Sequence, residues 1–137
     1  MEQTLTIIKP DSMAKGAQGK IITRLLSENF AIKGMKHIHL TTEQAKGFYA
    51  EHSGKPFFPS LITFMTEGSV IVMALERKDA VAYLREIMGV TDSLKAAPGT
   101  IRKEFGTNIE RNAIHGSANL EDAKREVAYF FSGYELI

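Results

Sequence analysis

Val70-Ile71-Val72-Met73-Ala74-Leu75 is an unbroken apolar run, introduced by Gly68 and closed by Glu76 and Arg77. A run of strand length, rich in β-branched residues and without a polar break, belongs at the centre of a sheet. Upstream, Thr4-Leu5-Thr6-Ile7-Ile8 alternates and reads as a second strand, ending at Lys9-Pro10, where proline offers no ladder donor. Ala31 to Leu40 is a looser β-like run, and a short strand is expected around Asn112 to His115. Helical spacing fills the intervals. Ile21, Ile22, Leu25 and Leu26 fall on one face of Gly19–Phe30. A helix starting at Thr41-Thr42-Glu43 places Ala45, Phe48, Tyr49 and His52 together. Asp79 opens a helix with Val81, Leu84 and Met88 inward, closed by Gly89. Asn119, with Asp122 three residues on, caps a last helix whose Leu120, Ala123, Val127 and Phe131 face the core. Gly89 to Asn108 is a long connection, and loops that long inside compact domains are usually functional or disordered. This order predicts one α+β domain over residues 1–137, a sandwich with helices covering one face of a sheet of about four strands.

Composition narrows the chemistry. At 137 residues and 44% hydrophobic, the chain is long enough to bury roughly two-thirds of its unfolded surface. Seventeen Lys and Arg balance sixteen Asp and Glu, so no global field draws it to nucleic acid or to an anionic membrane, and any anion binding is local. The absence of cysteine excludes disulfides and thiolate chemistry. Met1-Glu2-Gln3-Thr4 has no secretory character, and the longest uncharged stretch, Pro56 to Thr66, is short of the ~20 residues of a membrane helix. A cytoplasmic protein without membrane partners is expected.

Familiar nucleotide motifs are missing. Gly16-Ala17-Gln18-Gly19-Lys20 lacks the glycine spacing of a phosphate loop, and Ile21 stands where a hydroxyl would hold magnesium, so the segment reads as the start of a helix. No Gly-x-Ser-x-Gly elbow is present. His37 and His39 alternate on a strand without a third metal ligand in view and read as solvent-facing. What remains is a dispersed set of cations and small polar groups: Lys9, His52, Arg85, Thr91, Arg102 and Asn112. Phosphoryl transfer uses such a set, because the moving group spreads its charge over peripheral oxygens and arginine grips them with paired N–H donors. Each arginine taken singly reads as a solvated surface group.

The combination is more specific. From Thr4 to about Phe131 the chain resembles the nucleoside diphosphate kinases. Ile8-Lys9-Pro10-Asp11, Phe48-Tyr49, Pro56-Phe57-Phe58, Arg85-Glu86-Ile87-Met88-Gly89, Pro98-Gly99-Thr100-Ile101-Arg102 and Asn112-Ala113-Ile114-His115-Gly116-Ser117 stand in the family's order. The resemblance implies a ferredoxin-like core with a four-stranded antiparallel sheet, additional helices and a long loop before the catalytic strand. It implies ping-pong transfer of a terminal phosphate, mainly from ATP, to nucleoside diphosphates of any base. Mg²⁺ would arrive with the nucleotide, with no metal held by the protein itself. The nucleophile would be His115, a type of group whose unperturbed pKa near 6.5 leaves an attacking nitrogen available at neutral pH. Phe57 would stack on the base, with Leu61 and the aliphatic Ile109 beside it. Lys9 and Asn112 would meet the ribose hydroxyls, and Arg85, Thr91 and Arg102 the outer phosphates, with His52 nearer the innermost. Tyr49 would flank the histidine. Glu126 would accept a hydrogen bond from the imidazole, and Ser117 completes the catalytic motif.

The chain departs from the family after Ser117, where Ala118-Asn119 replaces the usual Asp-Ser pair. Two other classes compete: a non-enzymatic nucleotide- or RNA-binding module on the same sandwich, and a scaffold that has kept the fold and lost activity. Lys9, Arg85, Arg102, Asn112 and His115 together favour the enzyme. The family's symmetric tetramers and hexamers, and apolar residues in Ala31–Leu40 and Gly89–Asn108, predict a homo-oligomer.

Overall fold

Strand register decides which residues share a face. In the computed structural model, which describes residues 1–137, the elements in chain order are β1 (Glu2–Ile8), α1 (Pro10–Ala14), α2 (Gln18–Ser27), β2 (Ala31–Ile38), α3 (Thr42–Phe48), α4 (Phe58–Thr66), β3 (Val70–Arg77), α5 (Ala80–Met88), α6 (Ile101–Phe105), β4 (Ile114–Gly116) and α7 (Leu120–Phe130). All pairings are antiparallel in the order β2-β3-β1-β4, and β1-α2-β2-β3-α5-β4 forms the ferredoxin-like core.

Leu5 faces Ala74 and Ile7 faces Val72 across the β1–β3 ladder, whereas Thr6 faces Met73 and Ile8 faces Ile71. Side chains alternate along a strand, so these two sets point to opposite sides. Leu5, Ile7, Val70, Val72 and Ala74 pack with α3, α4 and α7. Ile8, Ile71, Met73 and Leu75 pack with α2 and α5. Helices therefore cover both faces, not the one face expected from element order. The cause lies in the run from Val70 to Leu75: every one of its residues is buried, and a strand apolar on both sides needs cover on both.

Other departures have equally local causes. Two short helices were not legible from hydrophobic period. In α1 and α4 a proline stands in the first turn, where its missing N–H costs nothing, so Pro10 both ends a strand and starts a helix. His52 leaves the helical face expected for it, because α3 stops at Phe48 and a 3₁₀ turn, Ala50–His52, follows. The long connection contains α6, capped by the Thr100 hydroxyl, which accepts from Lys103 N–H at 3.3 Å. The last strand lies at Ile114–Gly116, slightly later than expected, and Leu120 is 55% exposed in the first turn of α7, with core contacts beginning at Ala123. Asn119 caps α7 as its sequence predicts, its Oδ1 accepting from Asp122 N–H at 2.7 Å. No helix is long and apolar enough to cross a membrane.

The short edge strand β4 carries the same parity. His115 faces Ile7, on the side of α3 and α7, while Gly116 faces Thr6 and looks toward α5. A Cβ at Gly116 would lie 2.6 Å from Met88 Sδ and 3.0 Å from a Leu84 methyl. Gly116→Ala is expected to destabilise the protein by about 1–3 kcal/mol through overpacking, measured as a lower urea midpoint at unchanged slope. An unchanged midpoint would refute the close approach.

Candidate active site

The strand bearing His115 is held in place by an unusual backbone. Ala113 lies in the left-handed region at φ 76°, which a residue with a Cβ adopts at a cost of about 1–2 kcal/mol. Three contacts hold it there. Its N–H donates to Asp11 Oδ2 at 3.0 Å, and its carbonyl accepts from Lys9 N–H and from the Ser12 hydroxyl, each at 3.0 Å. The helix α1 brings Asp11 and Ser12 to this spot. Beyond it, Thr6 Oγ1 donates to the His115 carbonyl at 2.7 Å, which fixes the main chain of the histidine from the neighbouring strand.

His115 on β4 and Ser117 just after its end are two residues apart, and both reach Glu126 of α7. His115 Nε2 lies 2.8 Å from Glu126 Oε1, and Ser117 Oγ donates to the same oxygen at 2.8 Å. Ser117 Oγ also accepts from Leu5 N–H at 3.2 Å. Glu126 is buried, its side chain 4% exposed, while the His115 side chain keeps 18%. Burial acts to raise the Glu126 pKa, but hydrogen bonds from His115 and Ser117 outweigh it, and the net direction is down. An ionised carboxylate only accepts, so Nε2 carries the ring proton and Nδ1 keeps its lone pair. For His115 itself, burial pushes the pKa below the ordinary value of 6.5, with Lys9 and Arg102 adding to the fall and Glu126 opposing it. Opposing charges alone leave that sign open; desolvation decides it.

His115 opens into a cleft of about 650 Å³. Lining it are Lys9, Tyr49, His52, Phe57, Leu61 and Arg85, together with Thr91, Arg102, Ile109, Asn112, His115 and Glu126. All were singled out from the sequence. Ser117 alone of that set does not line the cleft; it is fully buried behind Glu126. Also on the wall are Phe48, Glu51, Glu110, Gly116, Ala118 and Asp122, none of which was assigned a site role from the sequence. Phe48 packs edge-on to the His115 ring at 5.2 Å. Its helical spacing with Ala45 marked it only as core. For Glu51 and Glu110 the one available signal was adjacency to His52 and Ile109.

The cationic end is tightly built. Lys9 Nζ donates to Asn112 Oδ1 at 2.7 Å, and Asn112 Nδ2 donates to the carbonyls of Thr91 and Ile109, each at 3.1 Å. Burial, then the Arg102 charge, lowers the Lys9 pKa to about 7. Arg102 is buried and donates to the Gly89 carbonyl at 3.2 Å and the Ile114 carbonyl at 2.9 Å, while its Nε has no partner. Burial, with Arg85 nearby, lowers its pKa to about 10. Tyr49, whose hydroxyl is also buried without a partner, has its pKa raised by burial first and by Glu126 second. At the other end, Phe57 and Ile109 are 47% and 62% exposed, an apolar mouth. His52 bridges the two ends, its ring 5.4 Å from Phe57 and 6.2 Å from Tyr49. Desolvated cations with unfilled donors at one end, and exposed apolar side chains at the other, suit a ligand with an anionic tail and a flat aromatic head.

Comparison with known proteins points the same way. The family model described as nucleoside diphosphate kinase matches residues 2–136. The chain is 57% identical over 136 residues to the nucleoside diphosphate kinase of Sorangium cellulosum, covering 99% of this chain and 94% of that one. It is 53% identical over 137 residues to that of Chlamydia abortus, covering 100% and 97%. Among solved structures it is similar to the Aquifex aeolicus nucleoside diphosphate kinase, with a TM-score of 0.97 and 47% identity over 99% of each chain. It is also similar to the halophilic enzyme of Halobacterium salinarum in complex with CDP, with a TM-score of 0.95 and 42% identity over 99% of this chain and 91% of that one.

The geometry fixes the direction of one titration. His115, followed by imidazole ¹⁵N shifts, is expected to protonate with a midpoint below 6.5, with Nε2 the protonated nitrogen of the neutral ring. Glu126→Gln removes the charge that favours the imidazolium, so its midpoint should fall further. A midpoint above 6.5, or a rise in the variant, would contradict the burial argument.

Proposed function

The chain belongs to the nucleoside diphosphate kinase family, and from that premise we propose that His115 carries the phosphate this phosphotransferase moves between nucleotides. The observation that carries the reading is the pairing of His115 Nε2 with a buried carboxylate, which leaves Nδ1 as the nucleophilic nitrogen beside Lys9, Arg85 and Arg102. In the first half-reaction the Nδ1 lone pair attacks the terminal phosphorus of a nucleoside triphosphate, ATP in the main. The bond from that phosphorus to the bridging oxygen breaks, and its electrons leave with the diphosphate. No proton has to leave Nδ1. Positive charge develops on the ring and is met by Glu126 through Nε2–H, as the same carboxylate is held by Ser117. In the second half-reaction a terminal oxygen of a different diphosphate attacks the phosphorus of the phosphohistidine; the P–Nδ1 bond breaks, and its electron pair returns to Nδ1 as the neutral ring with Nε2–H.

The remaining residues position and neutralise. Arg85 and Arg102 suit the transferring phosphate oxygens, with Thr91 beside them; Lys9 and Asn112, already bonded to each other, face the ribose hydroxyls. His52 would meet the inner phosphate, and Tyr49 closes the wall beside the nucleophile. Phe57, with Leu61 and Ile109, offers a stacking surface that every base can use. The donors at the phosphate end fit anionic oxygens, not a cation, so Mg²⁺ would be held mainly by the nucleotide's own phosphates. When bound, it would offset the negative charge that develops on them.

Mixing the protein with γ-labelled ATP should put acid-labile, base-stable phosphate on the chain, and adding GDP, CDP or UDP should discharge it. Efficiencies are expected to spread over no more than about two decades, the range that ~1–3 kcal/mol of stacking allows. His115→Ala should abolish labelling while binding nucleotide nearly as well as the parent. Wild-type transfer that survives in His115→Ala would end the reading.

We further infer self-assembly into a tetramer or hexamer, within which residues 1–137 form one repeated domain. Leu26, Met35, Val90 and Leu94 support this, each at least 48% exposed. Sedimentation velocity at micromolar concentration should give a single oligomer; a monomer-mass species would refute it.

A further inference from the structure

The base end of the cleft holds one carboxylate that phosphate transfer does not use. Glu110 directly follows Ile109 and lines the cleft together with Phe57 and Leu61. Its Oε1 accepts from the Ser60 hydroxyl of α4 at 3.0 Å, and its N–H donates to Asn108 Oδ1 at 3.0 Å. The side chain is thus anchored from the same helix whose start carries Phe57, and the backbone from the turn that carries Ile109. It has no salt-bridge partner within the protein, and Oε2 makes no hydrogen bond. Its charge reaches Lys9, which it acts to keep protonated. A half-buried carboxylate held by one oxygen, beside two exposed apolar side chains, has a structural purpose already served by Ser60; the other oxygen has none.

We propose that Glu110 is a base-selecting residue, its Oε2 accepting N–H donors from the edge of the stacked base and ranking diphosphates in the order guanine, then adenine and cytosine, then uracil. The inference rests on the cleft being the nucleotide site. An ionised carboxylate only accepts. Guanine presents N1–H and its amino group side by side, two donors on one edge. Adenine and cytosine present an amino group next to a ring nitrogen whose lone pair opposes the carboxylate. Uracil flanks its single N–H with two carbonyl oxygens, so approach costs repulsion on both sides. Stacking on Phe57 admits all four, and Glu110 grades them.

Isothermal titration of GDP and UDP against the parent protein, Glu110→Gln and Glu110→Ala measures this without requiring turnover. The glutamine variant keeps an acceptor for Ser60 but also offers an amide donor to a carbonyl. At a half-exposed site a charged hydrogen bond is expected to give about a tenfold preference for GDP over UDP in the parent. Both variants should compress the ratio of dissociation constants to within about twofold, chiefly through weaker GDP binding. Equal GDP and UDP affinities in the parent, or a ratio unchanged in Glu110→Gln, would overturn the proposal. A common shift of both nucleotides would mean that Glu110 acts only through its charge on the phosphate end, which also overturns it. Transfer of phosphate to GDP and UDP, assayed in parallel, separates the two levels: a parent that transfers to both with a ratio insensitive to residue 110 loses base selection alone. A parent that labels with ATP but discharges to no diphosphate loses the phosphotransfer reading instead.

Discussion

The two-residue period of β4 is the constraint on which the site depends. Pairing with β1 sends Ile114 and Gly116 into the α2–α5 core and turns His115 and Ser117 toward α7. A slip of one residue would exchange these sets, burying an imidazole against Leu84 and Met88 and presenting a glycine to Glu126. Three residues of edge strand are too few to enforce register by ladder bonds alone. The register is held at its upstream end by Ala113, fixed through Asp11 and Ser12, and at its downstream end by the reciprocal bonds between Leu5 and Ser117. Fold and reactive geometry are thus enforced by the same few contacts.

Around this strand gathering cations costs electrostatic free energy, seen in the lowered pKa values of Lys9 and Arg102, but both of these side chains are anchored before any ligand arrives. Lys9 sits on the Asn112 carbonyl oxygen, with a pKa low enough to share its proton near neutrality. Arg102 is tied to two main-chain carbonyls from separate segments. Such groups offer charge-assisted bonds at little further cost in side-chain freedom, since their geometry is set by folding.

Much of this was legible in the residues. Val70–Leu75, Thr4–Ile8 and the stripes of α2, α5 and α7 carry clear periods, and the cleft-lining set was carried by motif order. The misreadings share a physical origin. Pro10 starts a helix of five residues, too few to show a stripe, and in α4 after Pro59 the buried residues Leu61, Ile62, Phe64 and Met65 come in adjacent pairs that blur one. The strand apolar on every residue from Val70 to Leu75 asks for cover on both faces, and the one-face expectation followed element order instead. His52 was placed by extending a period past the point where α3 ends. Glu110 and Ser60 are fifty residues apart, and no local pattern announces a contact made only by tertiary folding. The direction of the His115 shift was unreadable for a similar reason: charges can be listed from a sequence, but depth of burial cannot.

Arg102 Nε and the Tyr49 hydroxyl are buried without protein partners, and each such group carries a desolvation cost that an anionic ligand relieves. The folded chain is therefore best satisfied when occupied. By mass action, ligand at a hundred times its dissociation constant adds about 2.7 kcal/mol to stability, a large share of what a domain of this size possesses. Resistance of the folded chain to proteolysis would then rise with the concentration of nucleotide around it, so the substrate also acts as a stabiliser.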